Sequence, residues 1–232
     1  MKRNCTGDNQ PARVALFGGT FNPIHHGHCQ VALDVLQRFD LDCIYFIPSA
    51  RPPHKPKGRL ATSAQRLEMV QLALEQYPGL KACDVEIRRG GSSYTIDTAR
   101  HFKALQPAGG QLYFMLGVDA FLEIETWKDF AQFFDIVAFI VMSRPGQGLP
   151  ALKALGQAVA GHARAHLSRE YCPAGDGDAL IHPSKRPIYW ATVTAVDIAS
   201  SQIRRMIREG ATVRPWLAPA VADYIEEKGL YR

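Results

Sequence analysis

Short apolar runs and longer amphipathic stretches alternate along the chain from residue 13 onwards. Apolar runs bounded by turn-forming residues are typical of strands, whereas apolar positions three or four apart are typical of helices. The predicted strands are Val14–Phe17, Cys43–Ile47, Val85–Ile87, Gln111–Leu116, Ile136–Met142 and Ile188–Thr194. The predicted helices are Gly27–Phe39, one that begins after a capping box at Thr62, Thr95–Leu105, Leu149–Ala165, and two C-terminal helices, the second beginning at Pro219.

This alternation predicts an α/β fold with a doubly wound, mostly parallel sheet and βαβ crossovers. The runs 111–116 and 136–142 are almost continuously apolar, as in strands that are buried on both faces. Such a sheet binds its ligands in the loops after the carboxyl ends of its strands. We expect residues 1–12 to form a flexible tail and residues 13–232 a single domain, in which 147–187 make an irregular excursion containing one helix.

Composition and charge narrow the class of protein. The 232 residues are 47% hydrophobic and 21% charged, which is ordinary for a globular protein and excludes wholesale disorder. The net charge of +5 suits anionic ligands such as phosphates, but the basic residues are not clustered as in nucleic-acid-binding proteins. Five cysteines without a CxxC pair, no signal-peptide stretch and no apolar run of membrane length predict a cytoplasmic protein without a nucleic-acid or membrane partner.

Residues 18–28, with the sequence GGTFNPIHHGH, join the first predicted strand to the first predicted helix. Gly18 and Gly19 allow a turn and a close approach of the backbone to a ligand, and the helix start offers N–H groups to phosphate. His25 and His28 are three apart, so both rings can face the same side and donate hydrogen bonds to phosphate oxygens. A plain turn or a histidine metal pair are the alternatives, and the lack of a neighbouring carboxylate disfavours the metal. The segment predicts a phosphate site.

A second segment, ASSQIR at residues 199–204, lies between the last predicted strand and a helix. Ser200 or Ser201 would cap this helix, which by itself is the simpler interpretation. The helix start is also an anion site, and Arg204 one turn further could neutralise a polyphosphate. When this segment is considered together with the segment at 18–28, the phosphate-binding interpretation is favoured over the helix cap.

The HxGH sequence at residues 25–28 and the late SSxIR sequence at 200–204 resemble the HxGH nucleotidyltransferase superfamily, whose Rossmann-like fold carries C-terminal helices. Further segments narrow the resemblance to the bacterial nicotinate-nucleotide adenylyltransferase family of NAD biosynthesis: PPHK at 52–55, SYTIDT at 93–98, GVD at 117–119, Trp127, and SRPG at 143–146. The matching segments occur in the family's order and cover nearly the whole chain.

The resemblance implies roles for particular residues. Catalytic contacts with the phosphates would come from His25, His28, Lys55 and Arg204. The other ATP-binding residues would be Gly18, Gly19, Thr20, Phe21, Gly117, Asp119, Ser200 and Ser201. The mononucleotide would be bound by Tyr94, Thr95, Trp127 and Arg144. Backbone N–H groups near the helix start at Thr95 would meet the nicotinate carboxylate, and the indole of Trp127 would stack on the pyridine ring.

The same residues have simpler structural interpretations. Trp127 alone is more typical of a core or an interface, Lys55 of a solvated basic loop, and Asp119 of a helix cap. The family usually has a hydroxyl residue where this chain has Ala199 and a threonine where it has Ser201, so we expect altered affinity with activity retained. His162 and His166, four apart, could bind zinc together with Cys172 or His182, but a solvated helix face is the favoured interpretation.

The implied reaction transfers the adenylyl group of ATP to nicotinate mononucleotide, giving deamido-NAD and pyrophosphate. Because the attacking phosphate is already an anion, positioning and electrostatic stabilisation would carry catalysis without a general base. No carboxylate cluster marks a resident metal site, so Mg²⁺ would arrive with ATP. The alternatives are a nicotinamide-mononucleotide or pantetheine-phosphate adenylyltransferase and, in another class, a non-catalytic nucleotide sensor. Whether the protein forms a homo-oligomer is left open.

Overall fold

The structure is a computed structural model that describes residues 13–51, 60–143, 149–175, 177–194 and 196–232. Its strands are β1 (Arg13–Gly19), β2 (Cys43–Pro48), β3 (Leu80–Ala82), β4 (Gln111–Gly117), β5 (Ala138–Met142), β6 (Cys172–Pro173), β7 (Ala179–Ile181) and β8 (Ile188–Ala191). Its helices are α1 (His26–Arg38), α2 (Ser63–Leu74), α3 (Val85–Arg89), α4 (Thr95–Leu105), α5 (Val118–Phe121), α6 (Phe130–Ile136), α7 (Leu149–His166), α8 (Ser200–Arg208) and α9 (Pro219–Glu227). Short 3₁₀ turns lie at Ile124–Thr126 and Arg214–Trp216.

The strands form one sheet in the order β3-β2-β1-β4-β5-β8-β7-β6. All neighbouring strands from β3 to β8 are parallel. At one edge of the sheet, the short β7 is antiparallel to β8, and β6 is antiparallel to β7. The predicted α/β class is therefore confirmed. After β1 the chain adds β2 and then β3 towards one edge of the sheet. It then crosses back to form β4, which lies beside β1 in the direction of the other edge. The carboxyl ends of β1 and β4 thus flank a topological switch point, where sheets of this kind bind ligands.

Two layers of helices bury the two faces of the sheet. Ala15 and Ile44 belong to the cluster on one face, which includes residues of α1, α2 and α9. Leu16 and Phe139 belong to the other cluster, which includes residues of α4, α6 and α7. All five residues of β5 are buried, as expected for a central parallel strand. The loops at the carboxyl edge therefore begin at the ends of strands that are packed on both faces.

Several predicted elements are observed with their local signals. The capping box before α2 is present, since Thr62 Oγ1 accepts a hydrogen bond from the Gln65 backbone N at 3.2 Å. Helix α4 spans the predicted residues, and Pro219 is the first residue of α9. Helix α7 lies where a helix was predicted within the 147–187 excursion. No helix within the described part of the chain has both the length and the apolar character needed to cross a membrane.

The predicted strand at 85–87 is wrong, because these residues begin α3 and the third strand is β3. The alternating Val85, Glu86 and Ile87 pattern fits a strand, but the Glu86 carboxylate is buried and accepts a hydrogen bond from Thr98 Oγ1 at 2.8 Å. A tertiary contact therefore overrides the local pattern. The predicted start of the fifth strand at Ile136 is also wrong, since that residue ends α6.

The last predicted strand is shorter than expected. Its final pair with β5 joins Ala191 to Met142, so residues 192–194 are not part of the strand.

Candidate active site

The β1–α1 turn follows the central strand of the sheet and brings its backbone close to an aromatic ring. A Cβ atom added to Gly19, the last residue of β1, would lie 2.7 Å from the buried Phe21 ring, so a larger residue at this position would have to displace that ring. Phe21 itself has a φ of +47°, in the left-handed region. The prediction that Gly18 and Gly19 form the turn is wrong, because they end β1 and pair with Ile47 and Pro48, and the turn begins at Thr20. The residues predicted to bind ATP, 18–21, lie at the switch point of the sheet.

The structure brings His25 and His28 together at the start of α1. Their ring centroids are 3.8 Å apart, and the His25 backbone N donates a hydrogen bond to His28 Nδ1 at 3.3 Å. The Phe21 ring meets His28 edge-on at a centroid distance of 5.1 Å. His28 is half-buried, so its position is defined by the turn and by the first turn of the helix. The arrangement is suited to donating hydrogen bonds to an anion beside the helix start.

Burial determines the charge of His25. The side chain is 7% exposed, and desolvation, with a smaller contribution from His26, lowers the pKa of His25 to about 4. Its Nδ1 atom is buried and has no hydrogen-bond partner within the described residues. The ligand-free ring is therefore neutral near pH 7 and can act as a hydrogen-bond donor or acceptor, while a bound polyanion would favour its protonated form.

The second sequence motif packs directly against the first. Ser200 Oγ donates a hydrogen bond to the Pro23 carbonyl at 2.9 Å, and Arg204 Nη1 donates one to the Asn22 carbonyl at 2.7 Å. These contacts join residues about 180 positions apart, as the separations of 177 and 182 residues show. The starts of α1 and α8 thus lie side by side at the edge predicted to hold phosphates.

The serine cap predicted for α8 is wrong. The N-cap residue is Ala199, and Gln202 Oε1 accepts a hydrogen bond from its backbone N at 2.6 Å. Because Ser200 is already the first helical residue, its hydroxyl is directed to the neighbouring turn and does not cap its own helix. Among the described residues, no side chain of the N-cap residue accepts a hydrogen bond from the start of α8, and Ser201 is exposed. This helix start can accept an anion.

Asn22 is a functional candidate that the sequence reasoning missed. Its Oδ1 atom accepts hydrogen bonds from the Ala61 backbone N at 3.0 Å and from the Tyr231 hydroxyl at 2.8 Å. The residue is 2% exposed, and its carbonyl is the acceptor for Arg204. The motif contains Asn22, but nothing in the local sequence shows that α2 and the C-terminal segment meet there.

A cationic cavity of about 340 Å³ adjoins this cluster. The residues that line it include Arg204, Arg208 and Arg232, together with Thr62 and Tyr231. The lining contains no Asp or Glu side chain among the described residues. The positive charge on the α8 side of the site therefore extends beyond Arg204.

The predicted mononucleotide residues lie at the start of α4. Tyr94 is its N-cap residue and Thr95 its first helical residue, and the Tyr94 side chain makes no cap hydrogen bond with the described residues of this helix start. Tyr94 is 37% exposed, with Lys128 Nζ 4.5 Å from its ring centroid. Lys128 also forms an ion pair of 3.4 Å with Asp97 in the first turn of α4. The Tyr94 backbone N donates to the Ser92 carbonyl at 3.2 Å, so the helix start at Thr95 and the exposed Tyr94 ring are the features available to a ligand.

Trp127 follows a 3₁₀ turn and packs against the hydrophobic core. Its ring meets Phe114 edge-on, at a centroid distance of 5.9 Å and an interplanar angle of 90°. The side chain is half-buried, so part of the indole is left for a stacking partner. Gly117 and Asp119 lie at the carboxyl end of β4 and are both exposed. Lys55 and Arg144, the remaining predicted site residues, lie outside the described residues.

The histidines considered as zinc ligands are used in other contacts. The rings of His162 and His166 stack at 4.5 Å, and His162 Nε2 lies 3.1 Å from a Glu125 carboxylate oxygen. His182 Nε2 lies 3.0 Å from Ser168 Oγ. No group of three or more His, Cys, Asp or Glu side chains is arranged to hold a metal within the described part of the chain.

Comparisons with known proteins agree with this architecture. The cytidylyltransferase-like family model matches residues 16–206. A probable nicotinate-nucleotide adenylyltransferase of Desulfatibacillum aliphaticivorans is 42% identical over 222 residues, covering 94% of this chain and 99% of that protein. A protein of the same name from Geobacter sp. strain M21 is 39% identical over 220 residues, covering 94% of this chain and 98% of that protein.

Among solved structures, the Plasmodium falciparum nicotinic acid mononucleotide adenylyltransferase complexed with NaAD has a TM-score of 0.69. The match covers 95% of this chain and 97% of that one at 18% sequence identity, so it supports the fold alone. Sequence relatives over nearly the full length support the narrower assignment. The chain therefore belongs to the cytidylyltransferase-like family and, within it, to the nicotinate-nucleotide adenylyltransferases.

Proposed function

We propose that this protein transfers the adenylyl group of ATP to nicotinate mononucleotide, producing deamido-NAD and pyrophosphate as a step of NAD biosynthesis. The observation that carries the proposal is the junction of the two phosphate motifs. Ser200 and Arg204 of α8 donate hydrogen bonds to the carbonyls of Pro23 and Asn22, directly before the histidine pair of α1. Together with the family relationship, this junction supports an ATP-dependent transferase.

In the proposed mechanism the protein orients two anions and stabilises the charge that develops between them. The starts of α1 and α8 would hold the β- and γ-phosphates through backbone N–H groups, that of Ser200 included, and through the Ser201 hydroxyl, because the Ser200 hydroxyl already donates to the Pro23 carbonyl. His25 and His28 would donate hydrogen bonds to the α-phosphoryl oxygens, while Lys55 and Arg204 would balance the charge of the departing pyrophosphate. Residues 18–21, Gly117 and Asp119 would complete the nucleoside part of the ATP site.

The acceptor phosphate is itself the nucleophile, so no side chain has to remove a proton from it. It would attack the α-phosphorus in line with the departing pyrophosphate, and the gain in rate would come from orientation in a site that excludes water. Buried His25 can donate a hydrogen bond whether its ring is neutral or protonated, so its contact with the phosphates does not depend on its charge.

The nicotinate end would be recognised by the start of α4. The backbone N–H of Thr95 at this helix start favours a carboxylate, the Tyr94 ring lies beside it, and the exposed part of Trp127 favours a cationic pyridine ring. Arg144 is the further mononucleotide residue in the proposal. An amide in place of the carboxylate would present an NH₂ group to backbone donors, so nicotinamide mononucleotide would bind less well.

Mg²⁺ would enter bound to ATP. The side chains gathered at the phosphate edge are His25, His28, Ser200 and Arg204, which are nitrogen or hydroxyl groups and not the carboxylates that a protein-only magnesium site needs. These residues do not fit a resident magnesium site. The roles proposed for the chain's own residues do not depend on a metal ion bound by the protein alone.

The test is pyrophosphate release from Mg-ATP with nicotinate mononucleotide, nicotinamide mononucleotide or phosphopantetheine in parallel. Strong preference for nicotinate mononucleotide is the expected result. Equal use of both mononucleotides would keep the transferase and contradict carboxylate recognition at α4. Pyrophosphate release with phosphopantetheine alone would show that the acceptor is phosphopantetheine and not a mononucleotide. No pyrophosphate release with any of the three acceptors, together with measurable ATP binding, would favour a nucleotide sensor.

We also propose a cytoplasmic location. No disulfide joins the four cysteines within the described part of the chain. Thiols of this kind are usual in a reducing compartment, where ATP is also available.

A further inference from the structure

One arginine is almost completely buried directly behind the phosphate-binding turn. Arg66, on α2, is 2% exposed, and each nitrogen of its guanidinium group donates to a different backbone carbonyl. Nη1 donates to Thr20 O at 2.8 Å, Nη2 to Ser49 O at 2.6 Å, and Nε to Ala61 O at 3.2 Å. A planar fork of donors in fixed directions is what distinguishes arginine from lysine.

The three carbonyls belong to three segments at the carboxyl edge of the sheet. Thr20 lies in the turn after β1, Ser49 follows β2, and Ala61 precedes α2. The same segments are also joined by backbone donors, since Ser49 N donates to Gly19 O at 2.9 Å and Ala61 N donates to Asn22 Oδ1 at 3.0 Å. Arg66 contacts all three segments at once.

This arrangement is costly as a purely structural device. No ion pair among the described residues joins Arg66 to a carboxylate, and desolvation lowers its pKa. Removing a charge from water without an opposite charge costs several kcal/mol, which hydrogen bonds to carbonyls offset only in part. An apolar side chain could fill the same space without that cost, but it could not set the directions of three carbonyls.

We propose that Arg66 is a positioning residue of the active site, acting through the backbone of the phosphate-binding turn. With the Thr20 carbonyl directed at Arg66, the next residue, Phe21, is held in its left-handed conformation, and its ring contacts His28 at 5.1 Å. Arg66 thus sets the placement of His28 without touching substrate. The inference rests on the proposed adenylyl transfer and adds a residue that none of the sequence motifs contains.

The test compares Arg66→Lys and Arg66→Met with a matched control, Arg13→Lys. Arg13 also uses its guanidinium to tie a backbone carbonyl, donating from Nη2 to Phe39 O at 2.8 Å, but at the amino end of β1. Lysine keeps the charge of Arg66 and loses the fork, so we expect kcat to fall about 10²-fold, the scale of a 1 Å misplacement. The KM for nicotinate mononucleotide, which binds at α4, should change less than about two-fold.

The outcomes separate positioning from stability. If Arg66→Lys is folded by circular dichroism and keeps the wild-type kcat, the inference is wrong. It is also wrong if kcat falls equally in Arg13→Lys, or if the KM values for both substrates rise with kcat unchanged. Should Arg66→Met fail to fold, Arg66→Lys decides the question. If the wild-type protein releases no pyrophosphate, the proposed function fails, and the inference then stands or falls on whether Arg66→Lys weakens ATP binding while Arg13→Lys does not.

Discussion

The two halves of the candidate site are held in different ways. On the phosphate side, buried groups fix the backbone, with Asn22 and Arg66 both 2% exposed and bonded to several segments of the chain. On the nicotinate side, Tyr94 is 37% exposed and its neighbour Lys128 is held by an ion pair with Asp97, whose side chain is 30% exposed. Buried hydrogen bonds fix the backbone of the first half, whereas the second half depends on surface contacts.

The difference follows from what each half has to do. Stabilising charge on a reacting phosphoryl group requires donors that are already in place, because reorganisation during the reaction would reduce their effect. Recognising a ring and a carboxylate requires surface that is open until the ligand arrives. We therefore expect changes on the phosphate side to lower kcat or stability, and changes on the nicotinate side to raise KM.

The largest expected effect is on the phosphate side. His28→Ala should lower kcat by at least about 10²-fold, the cost of removing one transition-state donor. Steady-state kinetics of pyrophosphate release measure it, with thermal unfolding as the control for the fold. A variant that is folded and turns over at the wild-type rate would remove His28 from the catalytic group.

The second prediction concerns pH and His25. The pKa of this residue is about 4 in the folded protein and about 6.5 when unfolded, so between these values the unfolded state binds more protons. Stability should therefore be complete above pH 6.5 and decrease as the pH falls towards 4, by at most about 3 kcal/mol from this group. Urea unfolding at several pH values should show a smaller decrease in His25→Gln. Identical slopes in the two proteins would contradict the burial argument.

Trp127 tests the nicotinate side. Trp127→Ala should raise the KM for nicotinate mononucleotide about ten-fold, since stacking on an aromatic ring contributes about 1–3 kcal/mol. The value of kcat should change far less, and Trp127→Phe should retain most of the affinity. A rise confined to the KM for ATP would place the pocket elsewhere.

The smallest effect is expected for Lys128. Its cation–π contact with Tyr94 is exposed and contributes about 0.5–1 kcal/mol, so Lys128→Ala should raise the KM for the mononucleotide about two- to five-fold. Lys185→Ala is the matched control, because it removes an ion pair of 2.9 Å with Asp135 outside the site. Equal effects of the two substitutions would show that the contact with Tyr94 has no specific role.

Local patterns predicted the sheet class and the parts of the site that are close together in sequence. The segment at 18–28 contains its own glycines and histidines, and the α2 capping box is complete within four residues, Thr62 to Gln65. Errors arose where a pattern was short. The strand predicted at 85–87 is helix α3, and the short helices α5 and α6 were not predicted at all.

Sequence patterns alone were enough to find the alternation of strands and helices, the phosphate motifs and the resemblance that names the reaction, because each depends on residues a few positions apart. How the motifs meet is seen only in the folded chain. Asn22 and Tyr231 are 209 positions apart, and Arg66 contacts carbonyls of three separate segments. A backbone carbonyl has no signature in the sequence, so the direction in which it accepts a hydrogen bond is defined only when the chain has folded around it.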